Sequence, residues 1–188
     1  MGTAITQRLL LWLGAVVLTF TLVGCQALFG PDQYSVKQVS DGDTLTVTDA
    51  RGANIKVRFA CVDAAEVPHS TKERQSKKAS SRNQFKWGVK AQDRVKQLLE
   101  QGGDRVSLTV TDSDRYGRKV SEVRLGDGTF IQEVLTREGL ALVYRPYLKN
   151  CPSAAVVEQA EAEAQQQRRG VWSDSKFVPP WEYRTTKR

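Results

Sequence analysis

The sequence predicts an α+β fold, mainly β, in which five to six short antiparallel strands carry interspersed helices. Three observations point there. Short segments alternate apolar and polar residues between Gly-containing turns; one longer segment repeats its apolar residues at helical spacing; and the inferred order, strand-strand-strand-helix-strand-strand-helix-strand-helix, contains no repeated βαβ unit, which speaks against a parallel sheet. Such a pattern is compatible with a small closed barrel of the OB type, but by itself does not choose that barrel over other α+β folds.

The elements follow in order. Tyr34 and Val36, then Leu45 and Val47, then Ile55, Val57 and Phe59 alternate with polar neighbours, and Asp41-Gly42 and Arg51-Gly52 supply turns between them, giving a three-strand meander. Residues 67–86 are rich in Ser, Lys and Arg with almost no apolar periodicity, and read as a long, mobile, basic loop facing phosphate or as a solvated insertion. Trp87, Ala91, Val95, Leu98 and Leu99 then share one helical face that stops at Gly102. Residues 105–110 alternate as a strand, and after Tyr116-Gly117-Arg118 a second extended piece runs to Leu125. A short helix over 130–138, a strand over 140–144 and a helix that starts after Pro152-Ser153 and ends at Gly170, with Val157, Ala160 and Ala164 on one face, complete the three-helix count. The tail, containing Pro179-Pro180-Trp181, is expected to pack by its aromatic residues without regular structure.

Ahead of the domain, residues 9–23 form an apolar run without charge, preceded by Arg8. That length fits an export signal better than a bilayer span, which needs about 20 residues, with an uncleaved N-terminal anchor as the alternative. The run ends Leu22-Val23-Gly24-Cys25, which resembles a bacterial lipobox, so Cys25 is expected to carry a lipid, with a plain cleaved signal as the alternative. The organisation read from these signals is an export segment over 1–24, a tether over 25–33, a folded domain over 34–172 and a tail over 173–188. Export places Cys61 and Cys151 in a compartment that tolerates disulfides; they form a bridge, or else one is a buried strand residue and the other a loop thiol. The formal net charge of +7 suits a polyanionic partner, although it also suits an anionic membrane face or mere solubility.

Three clusters join charge to turn chemistry: Asp41-Gly42-Asp43-Thr44; Arg58 with Asp63-Ala64-Ala65-Glu66; and Asp114-Arg115-Tyr116-Gly117-Arg118. Each alone is an ordinary turn. Together they hold the parts that phosphodiester cleavage requires. Asp43 and Asp63 offer hard oxygens to a divalent cation, Arg58 and Arg118 offer planar forks to a phosphate, and Glu66 offers a proton acceptor for water.

In this order the clusters resemble the staphylococcal nuclease family over residues 34–172, with further matches at Gly139-Leu140-Ala141, Ala160-Glu161-Ala162 and Gly170-Val171-Trp172. The resemblance implies an OB-fold, five-stranded antiparallel barrel with three α-helices, acting as a monomer. It implies a calcium-dependent endonuclease that hydrolyses DNA and RNA and leaves 3′-phosphate ends. Residue by residue it implies calcium binding by Asp43, Asp63 and the Ala64 carbonyl with Asp41 in the outer shell. Arg58 and Arg118 would meet the scissile phosphate, Glu66 the water, and Arg115, Tyr116 and Tyr147 the nucleotide. Departures are Ala65 in place of proline, Phe59 in place of a smaller aliphatic residue, and Arg145 where a tyrosine is expected, which bears on base preference. His69, the sole histidine, stands close to Glu66 in sequence, but the family's chemistry needs no imidazole. Rival classes are a catalytically silent nucleic-acid-binding OB module and a structural envelope lipoprotein. Silent relatives lose carboxylates or arginines, whereas Asp43, Asp63, Glu66, Arg58 and Arg118 all stand here.

Overall fold

In a computed structural model of the protein, residues 33–186 are described, so the export segment and Cys25 lie outside the described residues. Among the described residues seven strands form: β1 Gln33–Val39, β2 Thr44–Thr48, β3 Asn54–Phe59, β4 Val62–Ala64, β5 Arg105–Ser113, β6 Lys119–Leu125 and β7 Ala141–Val143. Five of them close into a barrel in the order β1-β2-β3-β6-β5, and β4 pairs with β7 in a separate two-stranded sheet. The barrel interior is filled by the residues whose alternation marks the strands, among them Leu45, Val47, Val57, Phe59, Val106 and Val123.

One pairing differs from the antiparallel expectation. β3 and β6 run parallel, with Arg58 opposite Val120. A parallel pair needs a crossover rather than a hairpin, and the chain between β3 and β6 is long enough to supply one. The consequence is functional: parallel pairing at this register sets Arg118, two residues before Val120, at the same end of the barrel as Arg58.

Among the described residues five α-helices accompany the strands: α1 Thr71–Arg74, α2 Ala79–Gln101, α3 Ile131–Arg137, α4 Ala154–Gln166 and α5 Pro180–Thr186. The three expected helices are α2, α3 and α4. The basic stretch expected as a loop is instead α1, a short connection and the first two turns of α2. Ser70 caps α1 by accepting from the Glu73 N–H at 3.2 Å. The early part of α2 is stable because Ser81, Gln84, Phe85 and Gly88 form a buried face at i, i+3, i+4 and i+7, of which the first three pack on the tail and Gly88 on the Glu66 backbone. The tail in turn contains α5 rather than irregular chain. Tyr183 of α5 is buried, donates to Ser81 Oγ at 3.0 Å and meets Phe85 edge-on at 6.4 Å between ring centroids. Trp87 and Asn83 each donate to Asp174 at 2.9 Å, and Gln84 donates to the Val178 carbonyl.

Cys61 and Cys151 are joined in a disulfide, with Cα atoms 5.5 Å apart. The bond ties the segment between β3 and β4 to the end of the 3-10 turn at Arg145–Asn150.

Candidate active site

The site is built where β2, β3 and β4 converge. Asp41 and Asp43 lie in the turn before β2, whose Thr44 pairs with Arg58 of β3. The turn is held by the Asp41 side chain, whose Oδ1 accepts from the Asp43 N–H at 3.0 Å. Gly42 is required there, because a Cβ would stand 2.5 Å from the Ala91 Cβ of α2 and 2.8 Å from that of Ala64. Asp43 faces inward and is 6% exposed. Its Oδ2 accepts from the Ala64 N–H at 2.6 Å and its Oδ1 from the Thr44 hydroxyl at 3.1 Å.

Arg58 spans two carboxylates. Its Nη1 lies 2.6 Å from Asp43 Oδ2 and its Nη2 2.7 Å from Asp63 Oδ1. Burial works against its charge, but Asp43, Asp63 and Asp41 outweigh burial and hold its pKa above the ordinary value. The carboxylates shift too. Burial, then the charge of Asp43, pushes Asp41 up to about 8. Burial likewise raises Asp63 above the usual range despite Arg58, with Asp43 adding to the effect. Both shifts have one cause: acidic oxygens are crowded where water screens them poorly.

The turn between β5 and β6 carries the third cluster. Asp114 Oδ1 accepts from the N–H groups of Tyr116 and Arg118 at 2.9 and 3.0 Å, while Gly117 takes the left-handed conformation (φ +76°) that closes the loop. Asp114 Oδ2 receives Arg118 Nε at 2.7 Å, which orients the guanidinium. Burial raises the Asp114 carboxyl, but Arg118 and the turn amides prevail and hold it below the usual range. Arg115 Nη2 donates to the Tyr116 hydroxyl at 2.7 Å, and the guanidinium carbons of Arg115 and Arg118 lie 4.9 and 5.7 Å from the Tyr116 ring centre. Tyr116 is 68% exposed and Tyr147 60%, so both rings are open to a ligand.

All ten residues that sequence reasoning assigned to metal, phosphate, water or nucleotide line one cleft of about 770 Å³: Asp41, Asp43, Arg58, Asp63, Ala64, Glu66, Arg115, Tyr116, Arg118 and Tyr147. His69 lies outside that lining and is exposed, its N–H donating to Glu73. Arg145, at the position where the resemblance expects tyrosine, pairs with Glu158 and Glu161 of α4 at 2.5 Å each. Three residues escaped the sequence reading. Tyr144 stacks on Tyr147 at 5.7 Å between centroids, and Trp181 of α5 lies 5.6 Å from Tyr144, extending an aromatic wall along the cleft. Arg184, also of α5, reaches Asp63 and Glu66. Trp181 and Arg184 reach the cleft only because the tail folds back, whereas Tyr144 stands three residues before Tyr147, and no motif marks it.

A barrel whose end gathers buried carboxylates, forked guanidiniums and exposed aromatic rings in one cleft has the equipment of a phosphate-ester hydrolase acting on nucleic acid. The chain belongs to the staphylococcal nuclease homologue family, whose model matches residues 56–174. It is 34% identical over 152 residues to an uncharacterized endonuclease of Escherichia coli O157:H7, covering 81% of this chain and 84% of that one. It is 32% identical over 157 residues to the micrococcal nuclease of Shigella flexneri, covering 79% and 78%. To the thermonuclease of Staphylococcus hyicus it is 33% identical over 143 residues, covering 75% and 76%. These relatives support a nuclease function, with nucleic acid as the substrate.

Proposed function

We propose that the protein is a calcium-dependent endonuclease that hydrolyses phosphodiester bonds of DNA and RNA and leaves 3′-phosphate ends, held at a membrane through a lipid on Cys25. The observation that carries the reading is the cluster of Asp41, Asp43 and Asp63 around Arg58, with Arg118 and Glu66 on the same cleft. Nucleases of this family use a divalent metal. The donor set here fits a hard cation: it consists of oxygens, and the crowding that raises Asp41 and Asp63 is relieved by positive charge. Asp43, Asp63 and the Ala64 carbonyl would hold calcium, with Asp41 behind them. When bound, calcium polarises a phosphoryl oxygen and favours ionisation of water.

The protein's own groups account for the rest. Glu66 accepts a proton from the attacking water as its oxygen bonds to phosphorus. Arg58 and Arg118 stabilise the added charge on the five-coordinate phosphorus, where planar forks match two oxygens at once. The P–O5′ bond breaks, the proton passes to the departing 5′ oxygen, and phosphate remains on the 3′ side. Tyr116, Tyr147 and Arg115 hold the adjoining nucleotide by stacking and charge.

The test is cleavage of single- and double-stranded DNA and of RNA by purified protein in calcium and in chelator, with mass spectrometry of the ends. Calcium-stimulated cutting to 3′-phosphate termini is expected; binding without cleavage would replace this reading with a silent OB-fold binder. For the anchor, mass spectrometry of the membrane fraction is expected to find a lipid-modified N-terminal Cys25, and a soluble product starting elsewhere would exclude it.

A further inference from the structure

Arg184 enters the carboxylate cluster from α5. Its Nη2 lies 2.5 Å from Asp63 Oδ2, and its Nη1 lies 3.2 Å from Asp63 Oδ1 and 2.8 Å from Glu66 Oε1. Both oxygens of Asp63 are therefore engaged by one guanidinium, and Oδ1 also receives Arg58. The two arginines differ in setting. Arg58 is enclosed within the barrel end, whereas the Arg184 side chain is 43% exposed at the rim. The helix beneath Arg184 is fixed independently of the pair, by Tyr183 against Ser81 and Phe85 and by Trp181 against Tyr144. Arg184 can thus leave Asp63 by a change of rotamer while α5 stays docked.

We propose that Arg184 is a tethered counter-cation that competes with the metal ion for Asp63 and holds Glu66 toward itself until the ion displaces it. The proposal rests on the calcium-dependent reading of this same site. A divalent ion and a guanidinium carry charge of one sign and draw on the same Asp63 oxygens, so the Arg184 charge opposes ion binding and the ion in turn weakens the Arg184 bonds. Apparent ion affinity is lowered by the strength of that pairing. Removing the guanidinium frees the ligand and adds one unit of negative charge to the cluster. Because the pair is partly desolvated, its effect exceeds that of an exposed surface ion pair.

The experiment is direct calcium binding by calorimetry on purified wild type, Arg184→Gln and Arg184→Lys, with near-ultraviolet circular dichroism to check packing. Arg184→Gln is expected to bind calcium about tenfold more tightly. Arg184→Lys, which keeps charge but loses the fork, is expected to gain about threefold. Calcium binding by wild type with no gain in Arg184→Gln overturns the competition while leaving the metal-dependent reading intact. Absence of calcium binding in both chains overturns that reading and the competition with it. Should Arg184→Gln fail to fold, Arg184→Lys decides: tighter binding than wild type supports the competition, and equal or weaker binding overturns it.

Discussion

Gly88 of α2 lies against the backbone of Glu66 so closely that a Cβ at position 88 would stand 2.1 Å from the Glu66 carbonyl oxygen. The helix thereby sets the height of the segment that carries Glu66, the proposed proton acceptor, and Gln84, one turn earlier, receives the Glu66 N–H at 3.3 Å. Gly88→Ala gains about 1 kcal/mol of helix propensity but forces a backbone shift of the kind that costs about 1–3 kcal/mol. We expect net destabilisation and a fall in kcat of at least about tenfold, because misplacing a catalytic group by about 1 Å has effects of that order or larger. Denaturant unfolding and steady-state kinetics on this variant check it; unchanged stability and turnover would show that Gly88 does not position Glu66.

Asp174 anchors the tail to α2. Hydrogen bonding from the Trp87 indole, then from the Lys176 N–H, holds its carboxyl down to about 2. A depressed acid contributes stability above its unfolded pKa of about 3.9 and loses it as pH falls through the folded value. Asp174→Asn is therefore expected to unfold about 3–6 °C below wild type at pH 7, with the gap closing between about pH 4 and pH 2. Thermal scans across that range check it, and a gap independent of pH would contradict the assignment.

The Cys61–Cys151 bond closes a long loop, with a sequence separation of 90. In the chain-entropy account a loop of that length is worth about 4–5 kcal/mol. Both sulfurs also lie beside the buried Glu122, at 3.9 and 3.8 Å. Reduction, or replacement of both cysteines by alanine, is expected to lower unfolding free energy by about 2–5 kcal/mol in urea titrations. A loss below about 1 kcal/mol would show that the bond adds little to stability.

Legibility in the sequence followed the range of the interaction. The turns at Asp41-Gly42 and Tyr116-Gly117 announce themselves, because an Asx side chain and a glycine act within four residues. Barrel strands were legible from alternation, as Leu45 and Val47 illustrate. The parallel β3–β6 pairing was not, since no local pattern encodes which strand arrives beside Arg58. The start of α2 was hidden because Ser81 and Gln84 are polar residues buried by partners in the tail, so an apolar count misses their face. Arg184 was hidden most completely: it meets Glu66 from 118 residues away, and its neighbours in sequence carry no turn or motif signal.

The central claim is that Arg58 acts on the transition state of phosphodiester cleavage. Its most direct test is single-turnover cleavage of a DNA oligonucleotide by Arg58→Lys in saturating calcium, with DNA affinity measured alongside. Lysine keeps the charge but not the planar fork, so the cleavage rate should fall about 10²–10³-fold while affinity for DNA changes little. An unchanged cleavage rate, or a loss that appears entirely in DNA affinity, would contradict the account.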